Sequence, residues 1–454
     1  MHKAETRPPL RIALISPKGP LYRHRTGIFG KSLRMAPLTL TTLAALLPEE
    51  IPVDLQLLDE GIEDVSLDLE ADLIGMTVIT GTASRSYELA AHFRAQGIAV
   101  VLGGPHVTLV PEEAAQHADA IVVGYAEETW PQLVRDAWAD KMQPRYEVGP
   151  DFSFEKPANQ AIARRDLLNA RSYITTATFE ATRGCAHVCN FCVVPAAWPK
   201  GPYQKPIAHV VDDIRRNGAK RIVFYDLNLI AHLEYAKELF RALIPLKVRW
   251  FGLATVLVDR DPELMELLAQ SGCAGLLIGF ESISPSGLSA VNKRFNQPDR
   301  YAGLIRALHD HGIAINGTFM FGSDDDAPGC FEATVDFIRE HRIDLPRFSI
   351  LTPFPATSLY RQLDAQGRIL TSDWELYDGQ HVVFQPAKMS VDELVRGHEW
   401  AWKEVYSASG IARRMMPRIS GLGVNFPVVM AANLGYRHYA YNLSRFYTCM
   451  GGLA

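Results

Sequence analysis

Three thiols within eight residues suggest chemistry at a metal. The stretch "RGCAHVCNFCVVP", from Arg183 to Pro195, carries Cys185, Cys189 and Cys192, half of the six cysteines in the chain. Spacings of four and three residues could place them on one helix face. Gly184 and Pro195 bracket the segment and Asn190 interrupts it, so the sequence predicts a loop wrapped around something. A zinc knuckle wants four ligands in paired Cys-x2-Cys units, whereas Cys273, Cys330 and Cys449 are scattered singly and read as small residues or isolated thiols. His187, inside the loop, reads as a polar loop residue rather than a fourth ligand. Three thiolates on a four-iron four-sulfur cubane would leave one iron open to a further molecule.

Two series of alternating strands and helices have to position that loop. In the first, "LRIALISP", "VDLQLLD", "ADLIGMTV", "AVVLGG" and "DAIVVG" read as buried strands separated by helical stretches, the pattern of a doubly wound parallel α/β sheet. Ligands of such sheets sit at the carboxyl ends of the strands, here "SPKGP", "LDEG", "TVITG", "LGGPH" and "VGYAE". No GxGxxG follows the first strand; Gly103 and Gly104 either let the backbone approach a bulky ligand or make a tight turn. Residues 140–173, with Pro144, Pro150 and Pro157 and no sustained period, read as a linker after a domain of residues 1–139. Residues 174–357 repeat strand and helix six times, which predicts a (β/α)6 partial TIM barrel with its chemistry at the strand ends. The cysteine loop follows its first strand. Residues 358–454 are mainly helical and aromatic, and read either as core or as a lid over a substrate pocket.

With 454 residues, 48% hydrophobic and 21% charged, the chain has the length for roughly three domains. A net charge of -5 without a lysine or arginine run argues against nucleic acid as a partner. The N-terminus passes from polar residues straight into a strand-like run with no secretory signal, which predicts a cytoplasmic protein. Six cysteines are too sparse for a disulfide framework. The soft stretch "SGLGVNFPVVMAANLG", bounded by Arg418 and Arg437, is shorter than a membrane span but leaves room for peripheral contact with a membrane.

Cys-x3-Cys-x2-Cys after the first strand of a barrel, with an aromatic residue (Phe191) just before the third cysteine, resembles the radical S-adenosylmethionine superfamily. The resemblance implies a [4Fe-4S] cluster on Cys185, Cys189 and Cys192, with S-adenosyl-L-methionine docked at its open iron and cleaved by one electron to a 5′-deoxyadenosyl radical. "FYDLN" resembles the segment that receives the methionine amino group, which makes Asp226 and Asn228 candidates. "IGFES" resembles the segment where ribose contacts fall, which makes Glu281 and Ser282 candidates. "TFMFGSDDD" and "LTPFPATSLY" resemble the subgroup with an N-terminal cobalamin domain, and the resemblance spans about residues 10 to 400. It implies that the first domain is a Rossmann-like fold binding cobalamin through Asp59, Glu60, Thr80, Gly103, Gly104 and Gly124. Many cobalamin domains offer cobalt a histidine in Asp-x-His-x-x-Gly; the matching "LLDEGIED" has none, so the lower axial ligand is unassigned.

This resemblance implies a C-methyltransferase that places a methyl group on an unactivated carbon of a hydrophobic small molecule. Its alternative is an oxidative cyclase similar to the anaerobic magnesium-protoporphyrin ester cyclase, and a further one a sensor without turnover. It also implies a low-potential electron donor such as flavodoxin or ferredoxin. No residue is singled out as catalytic in its own right, since the cofactors carry the difficult chemistry.

Overall fold

The computed structural model describes residues 7–19, 35–198 and 201–443, in two compact units. The first takes the chain up to Thr178 together with residues 196–198 and 373–375; the second takes Phe179–Pro195 and the remainder.

In the first unit six parallel strands, β1 (Leu10–Ser16), β2 (Val53–Asp59), β3 (Leu73–Thr77), β4 (Ala99–Gly103), β5 (Ala120–Val123) and β6 (Arg145–Glu147), lie in the order 2-1-3-4-5-6. β1 is apolar almost throughout because helices cover both faces of the sheet. Ile12 and Leu14 pack with Leu40, Trp130 and Leu133 on one face, and Ala13 and Ile15 with Leu89 and Phe93 on the other. The strand order reverses between β1 and β3, which opens a crevice at the carboxyl ends there.

The segment 140–173, expected to be a linker, instead belongs to this unit. It supplies β6, whose Tyr146 points inward, and then buries Phe152 and Phe154, with Phe152 stacked on Tyr125 at 4.4 Å. Prolines on either side hid a strand of three residues, too short to show a period.

The second unit begins at Phe179, the second residue of β7 (Thr178–Phe179), and has a small antiparallel ladder of β8 (Thr182–Arg183) with β9 (Tyr203–Gln204). β10 (Arg221–Phe224), β11 (Arg249–Ala254), β12 (Cys273–Glu281), β13 (Ala314–Phe321) and β14 (Arg347–Ile350) then follow β7 side by side, giving the expected six-stranded partial barrel. Helices on the outside are amphipathic: Leu233–Leu243 buries Ala236, Leu239, Phe240 and Leu243, and Phe240 stacks on Trp250 of β11 at 5.2 Å.

The C-terminal region forms no unit of its own: residues 373–375 belong to the first unit and the rest to that of the barrel. Helix Val391–Val405, opened by the capping box of Ser390 and Glu393, runs down the barrel from Leu394, near Gly322 just past β13, to the turn where the Tyr406 hydroxyl donates to the Pro346 carbonyl just ahead of β14. The following helices Ala408–Met415 and Phe426–Ala440 therefore lie at the amino ends of the strands. Arg414 donates to the carbonyls of Ile343 and Asp344 at 2.9 and 2.8 Å, and Asn433 donates to that of Asp344 at 3.1 Å. Among the aromatic residues that read as core or lid, Trp402 and Tyr406 are buried and packed together at 5.6 Å, with Tyr439 edge-on to Trp402 at 5.0 Å, whereas Trp400 and Tyr441 are exposed. Tyr447 and Cys449 lie outside the described residues.

Candidate active site

The strand that leads into the cysteine loop is fixed by buried charge. Glu180 accepts from Arg183 at 2.7 Å and pairs with Lys205 at 3.0 Å. Burial pushes its pKa up, but the two cations outweigh that and hold it at about 2. Asp226, just past β10, is also buried, and burial together with Glu180 pushes its pKa up to about 7. Its carboxylate accepts the N–H of Ala181 at 3.0 Å, the N–H of Thr182 and the Thr182 hydroxyl at 2.8 Å. Asp226 thus departs from the expectation drawn from "FYDLN": its oxygens face the chain that precedes the loop, and it positions the cysteines rather than facing a ligand.

From Gly184 to Val193 the chain is irregular, as the bracketing Gly and Pro predicted. Gly184 has φ +98°, and a Cβ there would come within 3.3 Å of the Cα atoms of Gly201 and Pro202, so glycine is required. The loop is stapled to the segment after β12. Asn190 donates from its amide side chain to the Ala290 carbonyl at 2.9 Å, Asn292 donates to the Val188 carbonyl at 2.9 Å, and the His187 ring lies flat on Phe295 at 3.8 Å. The Leu359 N–H donates to the Asn190 carbonyl at 3.0 Å. His187 is thereby a packing residue, and Phe191 sits half-buried in the turn between Asn190 and Cys192.

Burial pushes the Cys189 thiol up to about 11 and raises Cys192 as well, the neighbouring thiols adding to the effect while Lys293 opposes it. Sulfur in such a place carries a proton unless a metal replaces it, which is the chemistry of a ligand set. Among the described residues no three His, Cys, Asp or Glu converge as they would on a single ion; thiolates on three corners of a cubane are spread wider than the ligands of a mononuclear site. Cys273 and Cys330 lie apart, one at the start of β12 and the other opening helix Cys330–His341.

Asn228 is fully buried beside the loop. Its amide nitrogen is 3.8 Å from the Cys185 sulfur, and its Oδ1 has no hydrogen-bond partner. An orphaned buried acceptor costs about 1–3 kcal/mol, so this oxygen fits a site whose donor arrives with a ligand. β12 ends at Glu281, a non-glycine residue at φ +63° beside a shift in the β12–β13 register. Its Oε1 is 2.6 Å from Lys293 Nζ and its Oε2 3.4 Å from the Thr318 hydroxyl, and the Ser282 hydroxyl accepts the Ser284 N–H at 3.0 Å. Backbone held in a sparsely populated region at a strand end is a frequent mark of function. Lys293, the cation shared by Glu281 and the thiols, was missed from sequence because "VNKRFN" carries no pattern. So was His381, whose Nδ1 is 3.0 Å from both Asp378 carboxylate oxygens, close to where the Ile350 N–H at the end of β14 donates to the Gly379 carbonyl.

In the first unit the candidate residues gather near the carboxyl ends of the strands, but most serve the chain itself. Asp59 accepts from the Gly61 N–H at 2.9 Å and the Tyr173 hydroxyl at 3.2 Å, and Glu60 accepts from Arg85 at 2.7 Å and the Lys18 N–H at 3.1 Å. These carboxylates brace the loop after β2. Gly104 (φ +103°) and Gly124 (φ +83°) are demanded by neighbours, Val78 and Val148, that a Cβ would strike, while Gly103 has ordinary room. Thr80 is 3.3 Å from His106 Nδ1; His106 Nε2 is 3.2 Å from the Tyr87 hydroxyl, and Trp374 stands edge-on to its ring at 5.6 Å. His106, legible in "LGGPH" and overlooked, is fully buried in that cluster and is not presented outward as a metal ligand would be. The lip that remains, Val78 to Gly81, has no ionisable side chain and exposes Ile79, a surface suited to the apolar face of a corrin.

The family model of the radical SAM superfamily matches residues 179–338, and that of the B12 binding domain matches residues 32–134. The chain is 34% identical to the bacteriochlorophyllide d C-12(1)-methyltransferase of Chlorobaculum tepidum over 84% of each chain. It is 31% identical to the bacteriochlorophyllide d C-8(2)-methyltransferase of the same organism, over 81% of this chain and 86% of that one. The solved structure of the radical S-adenosylmethionine methyltransferase TsrM from Kitasatospora setae, with cobalamin and a [4Fe-4S] cluster bound, matches with a TM-score of 0.67 at 16% identity, covering 95% of this chain and all of that one.

Proposed function

The chain belongs to the cobalamin-dependent radical S-adenosylmethionine methyltransferase family, and we propose that it places a methyl group on an unactivated carbon of a large, hydrophobic small molecule of the tetrapyrrole kind. The observation that carries the reading is the triad of half-buried thiols with an orphaned buried amide oxygen beside it. When bound, the [4Fe-4S] cluster and S-adenosyl-L-methionine supply a radical strong enough to take hydrogen from carbon, and cobalamin supplies the methyl group.

The residues of the chain prepare that chemistry. Cys185, Cys189 and Cys192 hold the cluster on a loop stapled at Asn190, Asn292 and Leu359, so that its sulfurs are placed before metal arrives. Asn228 Oδ1 accepts the methionine ammonium, while its N–H₂ group donates to the Cys185 sulfur. Glu281 accepts from ribose hydroxyls, with Lys293 Nζ 2.6 Å from its Oε1 and Ser282 beside it. The Ile79 lip receives cobalamin in the first unit. The starting electron comes from a low-potential carrier of the flavodoxin or ferredoxin kind, which approaches the exposed Ala186 and Val188 between the first two ligands.

The test is turnover of the anaerobically reconstituted protein with methyl-deuterated S-adenosyl-L-methionine and a panel of chlorophyllide-type tetrapyrroles. The expected result is a product heavier by one labelled methyl group, formed together with 5′-deoxyadenosine. Deoxyadenosine with an unmethylated product carrying oxygen from water would replace this reading with the oxidative cyclase.

A further inference from the structure

The C-terminal helices carry an outward surface that the chemistry above does not use. Met416, Ile419, Val424, Val428, Leu434 and Tyr441 are between 38% and 74% exposed. Single exposed apolar side chains are ordinary, but those from Met416 to Leu434 follow one another without an exposed charge between them. From Met415 to Tyr436 the one charged residue is Arg418, and it is turned inward, its Nε donating to Asp344 Oδ1 at 3.0 Å. The surface belongs to helices packed at the amino ends of β13 and β14, so it is remote from the barrel mouth and is no part of a substrate pocket.

Charge decides what covers it. The chain is acidic overall at -5, yet no Asp or Glu occurs after Glu404, while Arg413, Arg414, Arg418, Arg437 and Arg445 do. Arg413 is exposed at one edge of the apolar run, and Arg437 lies over the Tyr441 ring at 4.5 Å at the other. Two copies paired through this face by a two-fold axis would bring like charges together. Arg414 and Arg418 are buried, so an anionic bilayer would meet Arg413 and Arg437 at headgroup level and the apolar side chains below them, with tyrosine at the interface. No described helix is long and apolar enough to cross a membrane. Helix Phe426–Ala440, about 22 Å long at 1.5 Å per residue, is of a length to lie in the interface plane. We infer that this face anchors the enzyme to the surface of an anionic lipid bilayer, whatever its substrate.

The experiment is flotation of the full-length, cluster-loaded protein with vesicles of phosphatidylcholine alone or mixed with phosphatidylglycerol. The wild type should float with the mixed vesicles, less so as salt is raised, and about tenfold less with neutral ones. Val424→Glu with Leu434→Glu should reduce flotation at least about tenfold, given the apolar area lost, while iron content and deoxyadenosine formation stay unchanged. Val424→Ser with Leu434→Ser, a milder pair, guards against misfolding and should give an intermediate loss. Failure of the wild type to float, equal flotation with neutral vesicles, or equal flotation of the variants would overturn the inference. So would a wild-type dimer that the variants split, since the face would then be a contact between copies.

Discussion

Replacing Glu180 by glutamine isolates the electrostatics that aim the cysteine loop. Arg183 and Lys205 lie 2.7 and 3.0 Å from its carboxylate with side chains only 18% and 13% exposed. Burial raises the Glu180 pKa, the two cations more than offset this, and the net value is about 2 against an ordinary 4.5. A difference of about 2.5 units at about 1.4 kcal/mol per unit is worth about 3 kcal/mol. Because the folded-state pKa is depressed, this stability is present above the unfolded value near 4.5 and is lost as pH falls from there through about 2. Asp226 runs the other way: raised to about 7, it costs the folded state stability as pH rises from its ordinary 3.8 through 7. Losing the Glu180 charge relieves part of that cost, so the net loss in E180Q should be about 2 kcal/mol at neutral pH. Pulse proteolysis in urea, reading peptides from the second unit separately from those of the first, measures it without assuming one transition for the whole chain. The gap between wild type and variant should narrow as pH falls below about 4.5. A gap under about 0.5 kcal/mol at neutral pH, the size of an ordinary surface substitution, or one that widens on acidification, would refute the reasoning.

Four further substitutions address the site and its frame. Cys192→Ala should abolish the iron–sulfur absorbance and reduce iron content severalfold while leaving the circular dichroism unchanged, since the ligand sits on a loop. Asn228→Ala should retain iron but lower the cluster's reduction potential, because an N–H aimed at the Cys185 sulfur is lost; a redox titration followed by electron paramagnetic resonance reads this, and calorimetry should show weaker S-adenosyl-L-methionine binding. Gly104→Ala forces φ +103° on a residue whose Cβ would lie 2.9 Å from the Val78 N and O atoms, and should destabilise the first unit by about 1–3 kcal/mol. Gly103→Ala, whose Cβ would meet Val122 at 3.4 Å, should cost well under half of that; thermal melts of the pair, with cobalamin retention alongside, test the contrast.

The architecture was legible because its signals are local. Apolar strands alternating with amphipathic helices fixed both parallel sheets, and Cys-x3-Cys-x2-Cys between Gly184 and Pro195 fixed the loop. What sequence could not give was the direction in which polar side chains turn. Asp226 and Asn228 are two residues apart in one motif, yet one faces backward onto Thr182 and the other reaches the Cys185 sulfur. The resemblance implies Asp59 and Glu60 as cobalamin contacts, whereas their carboxylates bond Tyr173 and Arg85, which no local pattern pairs with them. Lys293 acquires its meaning only through Glu281 and the thiols across the loop. Trp374 joins the first unit from a position 261 residues beyond Glu113, to which it donates. The C-terminal aromatics leave core and lid open, because composition does not tell which of them turn inward: Trp402 and Tyr406 are buried, Trp400 and Tyr441 are exposed.

The compactness of the ligand set conceals how widely its support is drawn. Three cysteines within eight residues cost little chain entropy to bring together, since closing so short a loop is cheap. Holding them still is a separate matter. The staples from Asn190 and Asn292 cross 100 and 104 residues of sequence, and that from Leu359 arrives from beyond β14. The Glu180 and Asp226 contacts come from β9 and β10, on the other side of the loop. The sulfurs are therefore placed by strands from most of the barrel, and their geometry is complete only when β12 and β14 have closed alongside. A motif readable in thirteen letters depends for its chemistry on residues spread over the whole second unit, and that is why the cofactor could be read from sequence while the neighbours that tune it could not.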